Sequence, residues 1–375
     1  MKSDAIFDHL KSRILSGEFD AVAKLPSEKE FSDFYGCSRP TLRKALESLE
    51  KERLITRRQG AGSFLTQRHD DALIQLPASG KGSAMFGVIL PSLGDNYVFN
   101  FICSELSRLL AAVNCSLVWG GTIDPQSPLL VKEVEQICKK YVELKVDGVF
   151  FAPLEYTPLR DQLNNYIIDV LKKANIPVVL IDSDYVEFPQ RSNYDLVSLN
   201  HIQASYLLTH HMREQKAKQV HFVSPPMSAK TIKLRQMGFR EALYDTRTSS
   251  STTLIHEGDP KDLDFVASIV EMGAEGILCS NDGTAITLLQ SLAKLNLEVP
   301  KDLIVAGFDN LSYLSQIKTP LTSVAQPLEL ISSEAVRLMF ERLDNRDRPT
   351  KTTSFSGILI ERESTRSQQV GGRNS

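Results

Sequence analysis

The stretch Ile277–Asn310 reads ILCSNDGTAITLLQSLAKLNLEVPKDLIVAGFDN. It opens on a short apolar run, passes through an amphipathic stretch of helical length, and closes on a second apolar run, DLIVAGF. A strand apolar at successive positions is buried on both faces, and two such strands joined by a helix make the unit of a parallel sheet. In open sheets of this kind ligands bind beyond the carboxyl ends of the strands. Those ends carry Asn281–Asp282 and Asp309. Such side chains serve equally as caps of the next helix or as partners for a ligand.

The alternation extends outward. MFGVILP, CSLVW, DGVFFAP, IPVVLID and QVHFVSP are further short apolar runs, each followed by a stretch of helical length. From Met85 onward the chain therefore reads as α/β. At about 280 residues this part is large for a single sheet, so two sheets or subdomains are expected. A long helix, LELISSEAVRLMFERLDN, and a final strand segment, TTSFSGILIER, follow the last alternation and can carry the chain back between subdomains.

The chain has 375 residues, 42% hydrophobic and 24% charged, the balance of a soluble globular protein. Its apolar runs are too short to span a bilayer. Acidic residues interrupt the apolar pattern of the first fifteen residues, which argues against a secretory signal and for a cytoplasmic protein without membrane partners. The five cysteines are scattered, with no metal-knuckle or redox spacing. His210 and His211 have no partner at ligand spacing. Neither a cofactor nor a metal is expected, and no catalytic constellation points to an enzyme. Charge is uneven: residues 1–68 hold 13 Lys and Arg against 10 Asp and Glu, and the remainder 30 against 36. This split suggests a nucleic-acid module joined to something else. Residues 68–84, RHDDALIQLPASGKGSA, have linker composition. Residues 366–375 are expected to be a disordered tail.

The front module, 1–67, reads as three helices and a strand–turn–strand. Ser27 and Glu30 form a capping box, Gly36 suits a left-handed turn, and Ser38 caps a further helix with Pro40 in its first turn. Leu42, Ala45, Leu46 and Leu49 give that helix one apolar face. Arg39, Arg43 and Lys44 lie elsewhere on it. Such a helix presents its N-terminal end to the major groove, where arginine can pair with guanine while Ser38, Thr41 and Lys44 reach phosphates. The segment LITRRQGAGSFLTQ reads as a β-wing, with Arg57 and Arg58 supplying charge. A solvated basic helix with a hairpin is the plain alternative, but turn, caps, apolar face and wing agree with one another.

KLPSEKEFSDFYGCSRPTLRKALESLEKERLITRRQGAGSFL resembles the winged helix of the GntR family of bacterial transcription regulators. The resemblance implies DNA contacts at Lys29, Ser38, Arg39, Thr41 and Arg43, and at Gln59 and Gly60 in the wing. Lys29 replaces a more usual arginine and loses its bidentate geometry.

The back module, 85–365, resembles the effector domain of LacI/GalR-type repressors, which has the periplasmic-binding-protein fold. FGVILPSLGDNYVFNFICSELSRLL, VDGVFFAPLE, NIPVVLIDSD, LRQMGFREAL, the stretch Ile277–Asn310 and PLTSVAQPLELISSEAVRLMFERL carry that resemblance. It implies two Rossmann-like subdomains with three crossovers, here placed at 85–183 with 325–345 and at 184–324 with 350–365. It also implies ligand contacts at Arg235, Asn281, Asp309 and Gln326. Asp182 ends a strand, and Tyr97, Phe99 and Trp119 are candidates for an aromatic wall. SLNHIQAS lacks an aspartate that often precedes Asn200 in that family.

The combination resembles the arabinose-repressor subgroup. It implies a homodimeric, DNA-binding repressor of carbohydrate-utilisation genes on a palindromic operator, controlled by a small sugar such as a pentose or deoxyhexose. A purine-responsive regulator, a sugar-binding transport component and a sugar-active enzyme remain as alternatives.

Overall fold

In a computed structural model the described residues are 3–15, 25–51, 54–58, 62–65, 84–91, 96–245 and 254–366. The chain divides into two compact units, Met1–Gln75 and Leu76–Ser375.

The first unit begins with α1 (Ser3–Leu15), α2 (Glu28–Tyr35) and α3 (Arg39–Lys51). The hairpin of β1 (Ile55–Arg58) and β2 (Gly62–Leu65) follows, pairing Ile55 with Leu65 and Arg58 with Gly62. Ser27 caps α2 with a complete capping box, its Oγ accepting from the Glu30 amide. Gly36 ends α2 at φ 56°, a left-handed conformation that costs glycine nothing. The core is small and apolar. Ile6, Leu10 and Ile14 meet Phe31, Tyr35, Leu42, Leu46 and Leu49, so the apolar face of α3 is spent on packing and its other faces stay outside.

The second unit contains two six-stranded sheets. The first has the order β13-β7-β6-β5-β3-β4 and the second β14-β12-β11-β10-β8-β9. Pairing is parallel except between β12 and β14. The first lobe holds β3 (Met85–Ile89), α4 (Tyr97–Ala112), β4 (Ser116–Trp119), α5 (Leu130–Leu144), β5 (Gly148–Phe151), α6 (Arg160–Lys173), β6 (Val178–Ile181) and β7 (Asp195–Leu199). The chain then crosses to the second lobe. That lobe holds α7 (His201–Glu214), β8 (Val220–Ser224), α8 (Lys230–Asp245), β9 (Ile255–Glu257), α9 (Leu263–Glu271), β10 (Gly276–Cys279), α10 (Asp282–Lys294), β11 (Ile304–Phe308) and β12 (Thr322–Ala325). A second crossing leads to α11 (Leu328–Asp344) and β13 (Thr352–Phe355) on the first lobe, and a third to β14 (Ile358–Ile360) on the second.

The three crossings match the expectation, but the expected lobe boundary does not. Placing 184–324 and 350–365 in one subdomain is corrected by β7 and β13, which pair with each other in the first sheet. The reason is chemical. Asp195-Leu-Val-Ser-Leu199 is fully buried yet interrupted by an aspartate and a serine, so it lacks the continuous apolar run of its neighbours. The linker at 68–84 and the tail at 366–375 fall almost wholly outside the described residues.

Helices α7 and α8 lie closest where Gly238 faces α7. A Cβ on Gly238 would stand 2.0 Å from the Ile202 carbonyl oxygen and 3.0 Å from the Tyr206 amide. Those are backbone atoms and cannot swing aside. Gly238→Ala is expected to destabilise this unit by about 3 kcal/mol, read as a lower urea midpoint, with far-UV circular dichroism of the remaining folded fraction unchanged.

Candidate functional sites: a winged helix and an interlobe cleft

In the first unit, Lys29, Ser38, Arg39, Arg43 and Lys44 are exposed and Thr41 is half-buried. Ser38 and Thr41 hydroxyls bond to each other at 2.7 Å at the start of α3, where unpaired helix amides favour an anion. Sequence reasoning missed Glu28. Its carboxylate takes Arg43 Nε at 2.8 Å and Arg57 Nη2 at 3.0 Å, tying the helix to the first strand of the wing. The Arg57 amide also donates to Glu50 Oε1 at 3.0 Å. Arg43 and Arg57 are thus oriented before any ligand arrives, while Arg39 is exposed at the first position of α3. The Arg58 side chain, Gln59 and Gly60 lie outside the described residues.

In the second unit, a cleft opens between the two sheets. From the first lobe it is lined by Pro91, Asn96, Val98, Phe99, Glu155, Tyr156 and Asp182. Facing them are Ala229, Thr231, Ile232, Arg235, Asn281 and Asp309 of the second lobe, with Gln326 at a crossing. Of the eight sequence candidates, Phe99, Asp182, Arg235, Asn281, Asp309 and Gln326 therefore meet here.

Two candidates do not. Trp119 ends the edge strand β4 and is half exposed, its Nε1 donating to the Gly121 carbonyl at 2.6 Å. The central strands, not the edge strand, end at the cleft. Tyr97 is exposed at the start of α4. Two residues along a helix is about 200°, so the turn that brings Phe99 to the cleft points Tyr97 away.

Arg235 organises the floor. It is 4% exposed. Its Nε donates to His201 Nδ1 at 3.3 Å, Nη1 donates to the Ser280 carbonyl, and Nη2 lies 3.5 Å from Asp309 Oδ1. The guanidinium stacks 4.3 Å from the centre of the Phe308 ring. Gln326 Nε2 donates to the same Asp309 oxygen at 2.8 Å. Because His201 Nδ1 accepts, its proton sits on Nε2, which points at Asp182 Oδ1 in the other lobe at 3.6 Å. Burial alone would raise the Asp182 carboxyl, but His201 and Arg235 outweigh it and hold the group below its usual range. Burial keeps His201 neutral, with its basicity lowered.

Tyr156, Asp182 and Asp309 adopt left-handed backbone conformations, with φ of 58°, 71° and 101°. Such strain gathers where a site over-determines the chain. Asn281 does both things its position allowed: it caps α10 by accepting from the Thr284 amide at 2.8 Å, and it lines the cleft. Glu155, Tyr156, Thr231 and His201 were not legible as site residues. For Glu155 a signal existed, since it lies just past the end of β5. Together the carboxylates and amides can pair vicinal hydroxyls, and Phe99 can cover an apolar ring face.

Residues 2–65 match the family described as bacterial regulatory proteins of the gntR family, and residues 209–365 match the periplasmic binding protein-like domain. The chain joins a GntR-family DNA-binding domain to a periplasmic-binding-protein-like domain. The chain is 25% identical over 369 residues to an arabinose metabolism transcriptional repressor of Halalkalibacterium halodurans, covering 96% of this chain and 94% of that one. Over 230 residues it is 25% identical to the HTH-type transcriptional repressor PurR of Vibrio atlanticus, covering 60% and 66%. Its fold is that of a LacI-family regulator from Enterococcus faecium solved with bound ribose. That likeness has a TM-score of 0.61 at 20% identity and covers 76% of this chain and 99% of that one. All three are transcriptional regulators. Among the described residues no helix is long and apolar enough to cross a membrane.

Proposed function

We propose that this protein is a cytoplasmic repressor of carbohydrate-utilisation genes, which binds a palindromic operator as a homodimer and releases it when a small neutral sugar enters the cleft. The observation that carries the reading is the Arg235–Asp309–Gln326 cluster on the floor of a two-lobed cleft, in a chain whose other unit is a winged helix. The near full-length likeness to an arabinose repressor supports a pentose.

On the DNA side, Arg39, Arg43, Ser38, Thr41 and Lys29, with Lys44, Arg57, Arg58, Gln59 and Gly60, form the contact set. One winged helix makes few base contacts, and a dimer doubles them and reads both half-sites. The outer side of α10 suits a second copy. Ile286 and Leu289 there, with Leu297, Val299 and Ile317 beside them, line a groove and are only half-buried in the single chain.

Arg39→Ala is expected to weaken operator binding by about 100-fold, the equivalent of one bidentate base contact, with sugar binding unchanged. Fluorescence anisotropy on a duplex selected from a random pool checks the first, and calorimetry the second. Loss of both would sink the modular reading.

The ligand class is tested by thermal shift against pentoses, deoxyhexoses, sugar phosphates and purines. A rise with one sugar and not its epimers is the expected result. Purines belong in the screen because Phe99 and Tyr156, both at the cleft, could also flank a planar base. A rise only with purines would replace the ligand class.

A further inference from the structure

The start of α8 faces two ways. Thr231, Ile232 and Arg235 line the cleft. Lys230 and Lys233, three residues apart and so neighbours on the helix surface, reach instead to the first lobe. Lys230 Nζ lies 3.0 Å from Asp161 Oδ1, in the first turn of α6, and donates to the Tyr185 carbonyl at 2.5 Å. Lys233 Nζ lies 3.1 Å from Glu187 Oε2, on the connection between β6 and β7. Both lysines belong to the second lobe and all three acceptors to the first.

The acceptors are held in place from their own side. Arg160 Nη2 lies 3.3 Å from Glu187 Oε1 and its Nε 3.6 Å from Asp161 Oδ1, while its Nη1 pairs with Glu155 Oε2 at 3.6 Å. Charge therefore alternates from Lys233 through Glu187, Arg160 and Asp161 to Lys230, and each of these two acids sits between two cations. Isolated exposed ion pairs contribute little, but a network of several charges contributes more. The side chain of Lys230 is 7% exposed against 61% for Lys233, so Lys230 carries the larger share. Parting the lobes would break both lysine contacts at once and leave the Arg160 pairs, which lie within one lobe.

We propose that Lys230 and Lys233, with Asp161, Glu187 and Arg160, form an ionic latch between the lobes that sets how readily the cleft closes on its ligand. None of the five lines the cleft, so they act through lobe position and not through contact. The latch rests on the reading of the cleft as a sugar site and adds a control on its affinity. The same helix turn that presents Thr231 and Arg235 to the ligand is the one the latch pins to the opposite lobe. Screening weakens exposed pairs, so the affinity for an uncharged ligand becomes sensitive to salt.

The test is calorimetry on the full chain, without DNA, with L-arabinose, D-ribose, D-xylose and L-fucose. Potassium chloride is set at about 0.1 M and about 1 M, which shortens the screening length from roughly 10 Å to 3 Å. The proteins are wild type, the lysine pair Lys230→Met with Lys233→Met, the acid pair Asp161→Asn with Glu187→Gln, and the quadruple variant. For whichever sugar binds wild type, each paired variant is expected to lose at least about fivefold in affinity at the lower salt. The quadruple variant should be no weaker than the lysine pair, because both sets of changes remove the same contacts. Salt supplies a readout that a merely structural role would not move. Wild type should lose about threefold between the two salt concentrations, and the lysine pair should stay nearly flat.

If the paired variants bind within twofold of wild type at the lower salt, or weaken with salt as steeply as wild type does, the latch falls and the sugar cleft stands. Losses that simply add in the quadruple variant also overturn it. If wild type binds none of the sugars, the sugar reading fails, and small-angle scattering of the same proteins at the lower salt decides the latch. A larger radius of gyration in both paired variants supports it, and an unchanged radius overturns it. Far-UV circular dichroism and melting temperature serve as the folding control, for which the acid pair is the milder case because Asp161 is 64% exposed.

Discussion

Arg235→Ala is expected to lower sugar affinity by at least 100-fold and to give a protein that still binds its operator but no longer releases it. The guanidinium is the hub of the cleft floor, shared among His201, Ser280 and Asp309 and stacked on Phe308. A charge-assisted hydrogen bond to a ligand is worth about 1.5–3 kcal/mol, and two together exceed the roughly 2.8 kcal/mol of a 100-fold change. Removing the side chain also leaves Asp309 without its cation and frees the His201 ring that faces Asp182. The loss therefore includes the disordering of both neighbours. Arg235→Lys should recover little of the affinity, because a single ammonium cannot fork to His201 and Asp309 while bonding the Ser280 carbonyl. Calorimetry with the sugar that binds wild type measures the first effect. Anisotropy on the operator, with and without that sugar, measures the second. A substitution that weakened sugar and operator equally would instead indicate unfolding.

The largest effect on stability is expected at Asp195, far from either site in chemistry but central to the wiring. Its side chain is 0% exposed. It receives Arg342 Nε at 3.0 Å, Arg348 Nη1 at 3.1 Å and Nη2 at 2.9 Å, and the Lys351 amide at 2.8 Å. Those partners lie at the end of α11 and on the approach to β13, so one carboxylate in β7 anchors the segment that returns from the second crossing. Both arginines are mostly buried, at 12% and 10% side-chain exposure. Asp195→Ala removes the carboxylate that both arginines share and leaves Arg348 only Glu341, at 3.8 Å; breaking a buried ion cluster in this way costs about 3–5 kcal/mol. Asp195→Asn keeps the acceptor for the Lys351 amide and should lose less. Urea unfolding of the two variants beside wild type checks the order. Equal stability of all three would mean that the arginines find other acceptors and that the anchor is dispensable.

Much of this was legible in the sequence for definite physical reasons. The capping box of Ser27 and Glu30, the left-handed Gly36 and the spacing of Leu42, Ala45, Leu46 and Leu49 are local signals, and each is met in the fold by the interaction expected of it. Strands such as Val178–Ile181 and Gly276–Cys279 are apolar throughout because both faces are covered. What was not legible depends on distance along the chain. Nothing in DLVSL shows that its aspartate will meet two arginines about 150 residues later. His201 looks like an ordinary helix residue until α8 places Arg235 against it. Trp119 reads as a sugar platform, but its strand is at the edge of the sheet. Glu28 passes for one more acid in a capping turn until the wing folds back to bring Arg57 to it.

The central claim is that occupancy of the cleft is felt at the operator. The two events must differ by a coupling free energy of about 1–3 kcal/mol, a 5- to 150-fold change in affinity. The most direct measurement is anisotropy of a labelled operator duplex, titrated with wild-type protein at one fixed salt concentration, without sugar and with saturating amounts of the sugar that gives the thermal shift. Phosphate contacts make affinity strongly salt-dependent, so the fixed salt is part of the design. The account predicts that sugar weakens operator binding of wild type by at least fivefold and that of Arg235→Ala not at all. Operator affinity that stays the same when calorimetry shows the cleft filled would contradict it.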